Sequence, residues 1–239
     1  MKVLVACEEN QRVTIELRKL GHEAYSCDIE PCSGGHPEWH YQGDVVQILS
    51  PRKNMPFSNF PIFILSENDA YIEVPGRWDM IIAFPPCTYL TNAGTRHFSR
   101  RINPEHKVAA RELLRLEAFE FFMLFANADC DKIAIENPVG WVNSHFRKPN
   151  QIVHPYYFGE NYKKRTCLWL KGLDKLEPTN MLPVPEPEYI CQGPLSKGKA
   201  IGWCEGIKNT TGGQKGRAKA RSKTFPEIAK AMADQWAKE

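Results

Sequence analysis

The sequence predicts an α/β fold with a mostly parallel sheet flanked by helices. Two observations carry this prediction. The chain opens as an apolar strand, an amphipathic helix and a second strand. Further along, apolar runs of strand length end in polar or proline residues, and a long helical pattern joins two of them. Strands connected through a helix lie parallel in one sheet, so this order predicts a βαβ architecture.

The first βαβ unit is predicted from residue types. Lys2 to Ala6 is an apolar run, and Val13 to Leu20 carries apolar residues at helical spacing. Gly21 stands where such a helix would end. Ala24 to Cys27 resumes a strand, which Asp28 closes.

Later strands are expected over Trp78 to Phe84, Lys132 to Ile135 and Arg165 to Leu170. Residues 31 to 61 are rich in Pro, Gly, Ser and Asn, which favours loops. Residues 61 to 66 (PIFILS) fit either a strand or the arm of an inserted hairpin.

A long helix is predicted between the first and second of these strands. Asn103 is expected to cap it, and Pro104 suits its first turn. Its core-facing residues are expected to be Val108, Leu113, Leu116, Phe119 and Leu124.

The last third of the chain differs in composition. Prolines cluster from Pro178 to Pro187, and small and basic residues dominate residues 208 to 223. A closing helix is predicted after them, because Thr224 and Glu227 have the spacing of a capping box.

Composition limits the classes of protein. With 42% hydrophobic and 25% charged residues in 239, a packed core is expected rather than disorder. The net charge of +3 is too small to indicate a nucleic-acid partner by itself. No apolar run is long enough to span a bilayer and no signal peptide is apparent, so we expect a cytoplasmic protein without a membrane partner.

The eight cysteines include no CxxC pair and are expected to be reduced thiols. Cys27, Cys32, His36 and His40 form the densest group of metal-ligand types. A zinc site is the alternative interpretation there, but such spacing arises easily by chance, and no metal is predicted.

Unusual side chains follow the predicted strands. In an open α/β sheet, ligands bind beyond the carboxyl ends of the strands. The ends here carry a thiol, several carboxylates and an amide: Cys7-Glu8-Glu9, Asp28, Pro85-Pro86-Cys87 and Glu136-Asn137.

The first two strand ends indicate a nucleoside-like cofactor. Asp28 is placed to accept hydrogen bonds from both ribose hydroxyls, although it could be a solvated carboxylate. The first turn has no glycine fingerprint, and Glu8 and Glu9 would repel a pyrophosphate. They would favour a cation, so S-adenosylmethionine fits this turn better than NAD.

Cys87 and Glu136 are the candidate reactive groups. Two prolines before Cys87 fix the backbone that presents its thiol. The alternatives are an inert buried cysteine and a carboxylate in an ordinary turn. Each motif is weak alone, but both close an apolar strand and a long helix separates them.

With these motifs the chain resembles a compact DNA (cytosine-5)-methyltransferase of bacteriophages and their bacterial hosts. Pro86-Cys87 matches the family's nucleophile motif, and Glu136-Asn137 matches its acid motif. Of a third motif only Arg165 matches well, Asp44 matches the aspartate after the third strand, and residues 225 to 236 resemble the family's last helix. The usual glycine turn and a large target-recognition domain are absent.

The resemblance implies a Rossmann-like class I methyltransferase fold and the following roles. Cys87 would be the nucleophile, Glu136 the acid, and Arg165 the ligand of the cytosine O2. The cofactor would contact Cys7, Glu8, Asp28, Asp44 and Phe84. DNA, expected to be double-stranded, would contact Thr91, Asn92, Asn137, Lys215, Arg217, Lys219 and Arg221.

The resemblance also implies a division of the chain. Residues 1 to 170 would form the catalytic domain, 171 to 223 a small irregular and basic recognition region, and 224 to 239 a helix packing back on the catalytic domain. Two rival functions stay open: the same chemistry on RNA or a free pyrimidine nucleotide, and an inactive DNA-binding or decoy protein. A phage origin would place the protein in the cytoplasm of the bacterial host.

Overall fold

A seven-stranded sheet forms the centre of the protein. The computed structural model describes residues 1–49, 62–186, 189–190, 200–201 and 223–238. Its strands are β1 (Lys2–Ala6), β2 (Glu23–Asp28), β3 (His40–Gln42), β6 (Met80–Ala83), β7 (Lys132–Pro138), β8 (Gln151–Val153) and β9 (Thr166–Lys171). Across the sheet they follow the order β3-β2-β1-β6-β7-β9-β8.

The five strands from β3 to β7 in this order are parallel, whereas β9 is antiparallel to both of its neighbours. The predicted fold class, a mostly parallel sheet flanked by helices, is therefore confirmed.

The helices cover both faces of the sheet. They are α1 (Arg12–Lys19), α2 (Val46–Leu49), α3 (Glu105–Ala126), α4 (Val142–His145) and α5 (Pro226–Trp236), and a 3-10 segment runs over Asn92–Phe98. The core on one face joins alternate sheet residues to α1 and α5, and the core on the other joins the remaining sheet residues to α2 and α3. Alternation of side chains along each strand explains this division.

Residues 61 to 66, which fitted either a strand or a hairpin arm, include one arm of a hairpin. Residues Ile62–Leu65 form β4, which pairs antiparallel with β5 (Tyr71–Val74) outside the main sheet. Two short strands, β10 (Tyr189–Ile190) and β11 (Ala200–Ile201), form another antiparallel pair.

Helix α3 differs from its prediction in two ways. Pro104 is the capping residue, and the Asn103 amide donates instead to the carbonyls of Arg96 and Ser99. Of its predicted core face, Val108 is buried and Phe119 packs against the core, but Leu113, Leu116 and Leu124 are 62%, 51% and 42% exposed. The inward-facing stripe consists of buried Val108, Phe122 and Phe125 and half-buried Arg111 and Arg115, and the two arginines stack on aromatic rings.

Helix α5 begins at Pro226 and its capping residue is Phe225, so the predicted Thr224 cap was wrong. The helix packs on the sheet face that also carries α1, through Ile228, Met232 and Trp236. Among the described residues, no helix is both long and apolar enough to cross a bilayer.

Candidate active site

The strand ends identified from the sequence meet at one edge of the sheet. Ala6 pairs with Ala83, and Ala83 pairs with Ile135, so β1, β6 and β7 end side by side. Cys27 pairs with Ala6 on the other side of β1. The residues that follow these positions therefore lie along one line, in the order Asp28, Cys7, Phe84 and Glu136.

The Cys87 turn follows β6. The carbonyl of Cys87 accepts hydrogen bonds from the backbone amides of Leu90 and Thr91, both at 3.0 Å. This tight turn and the two preceding prolines fix the backbone of Cys87. The side chain of Cys87 is half-buried, at the boundary between the core and solvent.

Asn137 joins the end of β7 to this turn. Its side-chain amide donates a hydrogen bond of 2.8 Å to the carbonyl of Pro85. Asn137 is fully buried, and its own carbonyl oxygen has no hydrogen-bond partner among the described residues. Asn137 is one of the residues predicted to contact nucleic acid. Burial prevents that contact in this conformation, and the residue instead holds the two strand ends together.

Backbone contacts connect the two loops further on. The amide of Trp141 donates to the carbonyl of Leu90 at 2.7 Å, and the amide of Asn92 donates to the carbonyl of Val139 at 3.3 Å. A Cβ atom at Gly140 would lie 1.9 Å from the carbonyl oxygen of Leu90. Only glycine permits this close approach, so Gly140 is required for the two loops to touch.

Glu136 lines a narrow cleft between the sheet edge and the start of α5. The cleft is lined by Phe84, Glu136, Lys164, Thr166, Thr224, Phe225, Ile228 and Met232. Burial raises the pKa of Glu136, and the positive charge of Lys164 partly opposes that shift. A carboxyl with a raised pKa holds its proton to higher pH, as a group that must donate a hydrogen bond requires.

Lys164, not Arg165, is the cation in this cleft. Arg165 is exposed and is absent from the cleft lining. Lys164 precedes Thr166 by two residues, and both line the cleft, as expected where side chains alternate. Its ammonium also lies 5.8 Å from the centre of the Phe225 ring. Lys164 could not be identified from the sequence, because α5, which closes the cleft, is distant from it along the chain.

The predicted cofactor residues beyond β1, β2 and β3 form an acidic cluster. Cys7 has a left-handed backbone with φ of 59°. It follows Ala6, which pairs with Cys27, and the amide of Gly43 donates to the carbonyl of Asp28 at 2.9 Å, so Asp28 and Asp44 lie at the strand ends beside it. Burial raises the pKa of Cys7, and the charges of Asp28 and Asp44 add to that shift. Asp28 is half-buried, and burial raises its pKa as well, whereas Asp44 is exposed and accepts a hydrogen bond from the amide of Val46.

Glu8 forms hydrogen bonds within the protein instead of the predicted contact with the cofactor. Its carboxylate accepts hydrogen bonds from the amides of Val13 and Thr14, at 2.7 and 3.2 Å, and from the Thr14 hydroxyl at 2.7 Å. It thus accepts hydrogen bonds from amides at the start of α1 that have no partner within the helix. Burial raises the pKa of Glu8 to about 7, although these hydrogen bonds act in the opposite direction. With 1% of its surface exposed, Glu8 cannot reach a cofactor in this conformation.

The predicted nucleic-acid contacts fall in two groups. Thr91 and Asn92 lie just beyond the Cys87 turn, where the Thr91 hydroxyl accepts from the amide of Ala93 and Asn92 is exposed. The second group, Lys215, Arg217, Lys219 and Arg221, lies outside the described residues. Their contact with nucleic acid stays a prediction.

Two arginines of α3 brace the Cys87 turn. The guanidinium of Arg115 donates to the carbonyl of Tyr89 at 3.2 Å and stacks on Phe98 and Trp141, with centre-to-centre distances of 3.1 and 4.3 Å. The guanidinium of Arg111 lies over Tyr89 and Phe98, at 4.9 and 5.1 Å. No sequence signal distinguishes these arginines from solvated ones.

The cysteine and histidine cluster has ordinary hydrogen-bond partners. His40 contacts the Ser26 hydroxyl and the carbonyl of Glu30, and His36 contacts Glu38 and stacks on Trp39. In the described part of the chain, no three His, Cys, Asp or Glu side chains are grouped as metal ligands.

The chain was compared with protein families, curated proteins and solved structures. No protein-family model matches the sequence, and no curated protein matches it. A crystal structure from E. coli, provisionally described as a prophage-encoded DNA modification methyltransferase, has a similar fold at 16% identity and a TM-score of 0.44. The match covers 80% of this chain but only 56% of that structure.

Proposed function

We propose that this protein transfers a methyl group from S-adenosylmethionine to C5 of cytosine in DNA, through a covalent bond between Cys87 and C6. One observation carries the proposal: the Asn137 hydrogen bond to Pro85 holds the Cys87 turn against β7, the strand that carries Glu136. A nucleophile and a carboxyl group with raised pKa thereby stand at adjacent strand ends. This is the pair of groups that addition to a cytosine ring needs.

The acidic cluster fits the cofactor by its chemistry. Asp28 and Asp44 supply carboxylates beside Cys7, and carboxylates accept hydrogen bonds from ribose hydroxyls and attract a cation. S-adenosylmethionine offers both and has no phosphate to be repelled. When bound, it would supply the methyl group that C5 acquires.

The residues of this chain would act on the base in sequence. The Cys87 thiolate forms a bond to C6, which makes C5 nucleophilic. Protonated Glu136 donates a hydrogen bond to N3 and offsets the negative charge that develops on the ring. After C5 has gained the methyl group, a base removes its proton, the C5–C6 double bond returns and Cys87 leaves as thiolate. In duplex DNA the cytosine must first leave the stack.

The division of the chain belongs to the same proposal. Residues 1 to 170 would carry catalysis, 171 to 223 would recognise the target, and 224 to 239 would close the cleft over Glu136. Phe225 and Ile228 in the cleft lining support the last part. Arg165 would need to turn towards the base to hold O2, and Lys164 already occupies that side of the site.

Trapping tests the covalent step. Duplex DNA containing 5-fluorocytosine should form an adduct that survives denaturation when the cofactor is present, because fluorine cannot be removed and the thiol cannot leave. Cys87→Ala should abolish the adduct, while Cys32→Ala, another half-buried cysteine, should keep it. An adduct with Cys87→Ala would contradict the mechanism.

Parallel reactions with RNA and free deoxycytidine monophosphate, read by mass spectrometry, separate the rival substrates. Failure to methylate any of them would favour an inactive binding protein.

A further inference from the structure

We infer that Arg96, Arg101 and Lys107 form a surface that binds the phosphate backbone of nucleic acid beside the Cys87 turn. We call these three residues the basic surface. The inference rests on the proposed function in one respect, namely that the base acted upon belongs to a polynucleotide. None of the three belongs to the contacts predicted from the sequence.

The basic surface is fixed relative to the Cys87 turn. The 3-10 segment that carries Arg96 begins at Asn92, five residues after Cys87. The Asn103 amide donates to the carbonyls of Arg96 and Ser99, at 2.9 and 3.0 Å, and so closes the loop that carries Arg101. Lys107 lies in the first turn of α3, directly after this loop.

The helix itself is attached to the turn by the stacked arginines. Arg111 lies over both Tyr89 of the turn and Phe98 of the 3-10 segment. Because these contacts join α3, the 3-10 segment and the Cys87 turn, the basic surface cannot shift independently of the nucleophile.

The charge of the basic surface is not neutralised. The carboxylates nearest in sequence, Glu105 and Glu112, both pair with Arg100, at 3.0 and 2.9 Å. Arg96, Arg101 and Lys107 are exposed, and none of them forms a salt bridge with another described residue. The whole chain carries a net charge of only +3, so three uncompensated cations beside one turn are a local concentration.

Several features favour a phosphate backbone over an acidic protein. The basic surface adjoins the turn that would hold the flipped base, and phosphates lie on both sides of any such base. The aromatic rings nearby, Phe98 and Tyr89, are already covered by arginines. The surface therefore offers cations rather than stacking platforms, which suits contacts that ignore sequence.

The test compares two triple variants of the full chain. Arg96→Ala/Arg101→Ala/Lys107→Ala removes the basic surface, and Lys19→Ala/Lys132→Ala/Lys148→Ala removes the same charge away from the Cys87 turn and outside the proposed recognition region. Binding of a fluorescent duplex is measured from 50 to 300 mM salt, and methylation is measured in parallel. We expect the first variant to lose about tenfold or more in affinity and to flatten the salt slope by about 2 to 3, since each phosphate contact contributes about 0.9. The control should keep both values.

Each outcome decides a separate question. Equal salt slopes in the two variants would contradict the basic surface, and so would a wild type that binds no duplex, single strand or RNA. In either case, measurements of methylation and cofactor binding would still test the proposed chemistry. Slope loss without any methylated cytosine would leave the surface standing and contradict the proposed chemistry. Sedimentation without nucleic acid checks the protein alternative, because dimers that only the first variant dissociates would assign the surface to a second copy of the chain.

Discussion

The side-chain amide of Asn137 donates a 2.8 Å hydrogen bond to the carbonyl of Pro85, across 52 residues of sequence. This contact lies between the two groups proposed to act on the base, Cys87 and Glu136. We expect Asn137→Ala to lower kcat by about tenfold or more and to cost about 1–3 kcal/mol of unfolding free energy, because a buried carbonyl loses its partner. Asn150→Ala, which removes a side-chain amide that is hydrogen-bonded to the backbone of Leu170 away from the two loops, is the control. Unchanged kcat at reduced stability would limit Asn137 to a structural role.

Lys164 should tune the protonation of Glu136. Its positive charge favours the ionised carboxylate, so its removal should raise the pKa of Glu136 further. If Glu136 must be protonated, the loss of kcat/KM at high pH should move to higher pH in Lys164→Met. Lys163→Met removes an exposed neighbouring charge and should leave the profile in place. A shift towards lower pH would contradict the assigned sign.

Asp28 should hold the cofactor. We expect Asp28→Ala to weaken S-adenosylmethionine binding about tenfold or more, since hydrogen bonds to a charged group contribute about 1.5–3 kcal/mol. Isothermal titration with the demethylated cofactor measures the loss without turnover. Glu30→Ala removes an exposed carboxylate two residues away and should change affinity little. Equal losses in both variants would indicate a general field effect instead of a direct contact.

Gly140→Ala should separate the two loops of the site. Its Cβ would meet the carbonyl oxygen of Leu90 at 1.9 Å, so the backbone must move. Overpacking of this kind costs about 1–3 kcal/mol, and urea denaturation should show the loss together with reduced activity. At Gly94 the nearest atom would be 3.4 Å from the new Cβ, so Gly94→Ala is the matched control. Wild-type stability in Gly140→Ala would contradict the described loop contact.

Glu8 should make stability depend on pH. Its folded pKa is raised to about 7 from the ordinary value of 4.5, so its stabilising contribution is complete below pH 4.5 and is lost as pH rises through 7. Between pH 4.5 and 8, we expect wild type to lose about 1–3 kcal/mol of unfolding free energy relative to Glu8→Gln. Glu160, with a pKa also raised to about 7, contributes with the same sign in both proteins. A parallel pH dependence in wild type and Glu8→Gln would show that Glu8 ionises normally.

The sequence by itself determined the sheet edge and the groups that stand there. Apolar runs specified the parallel strands β1, β2, β6 and β7, because burial on both faces of a parallel sheet favours largely hydrophobic residues. Once those strands are parallel, their ends share an edge. Cys7, Asp28 and Glu136 therefore could be placed along one line without any tertiary contact.

Only the tertiary structure decided which side chains face which neighbours. Glu8 belongs to the start of α1, and Lys164 to the Glu136 cleft, because their partners are placed by the fold and not by spacing. The inward-facing stripe of α3 contains Arg111 and Arg115, which a hydrophobic pattern assigns to the solvent-facing side. An arginine can bury its stem and stack its planar guanidinium on aromatic rings supplied by distant segments. Hydrophobic patterning records the residue type alone, so it assigned the core face of α3 to leucines that the fold leaves in solvent.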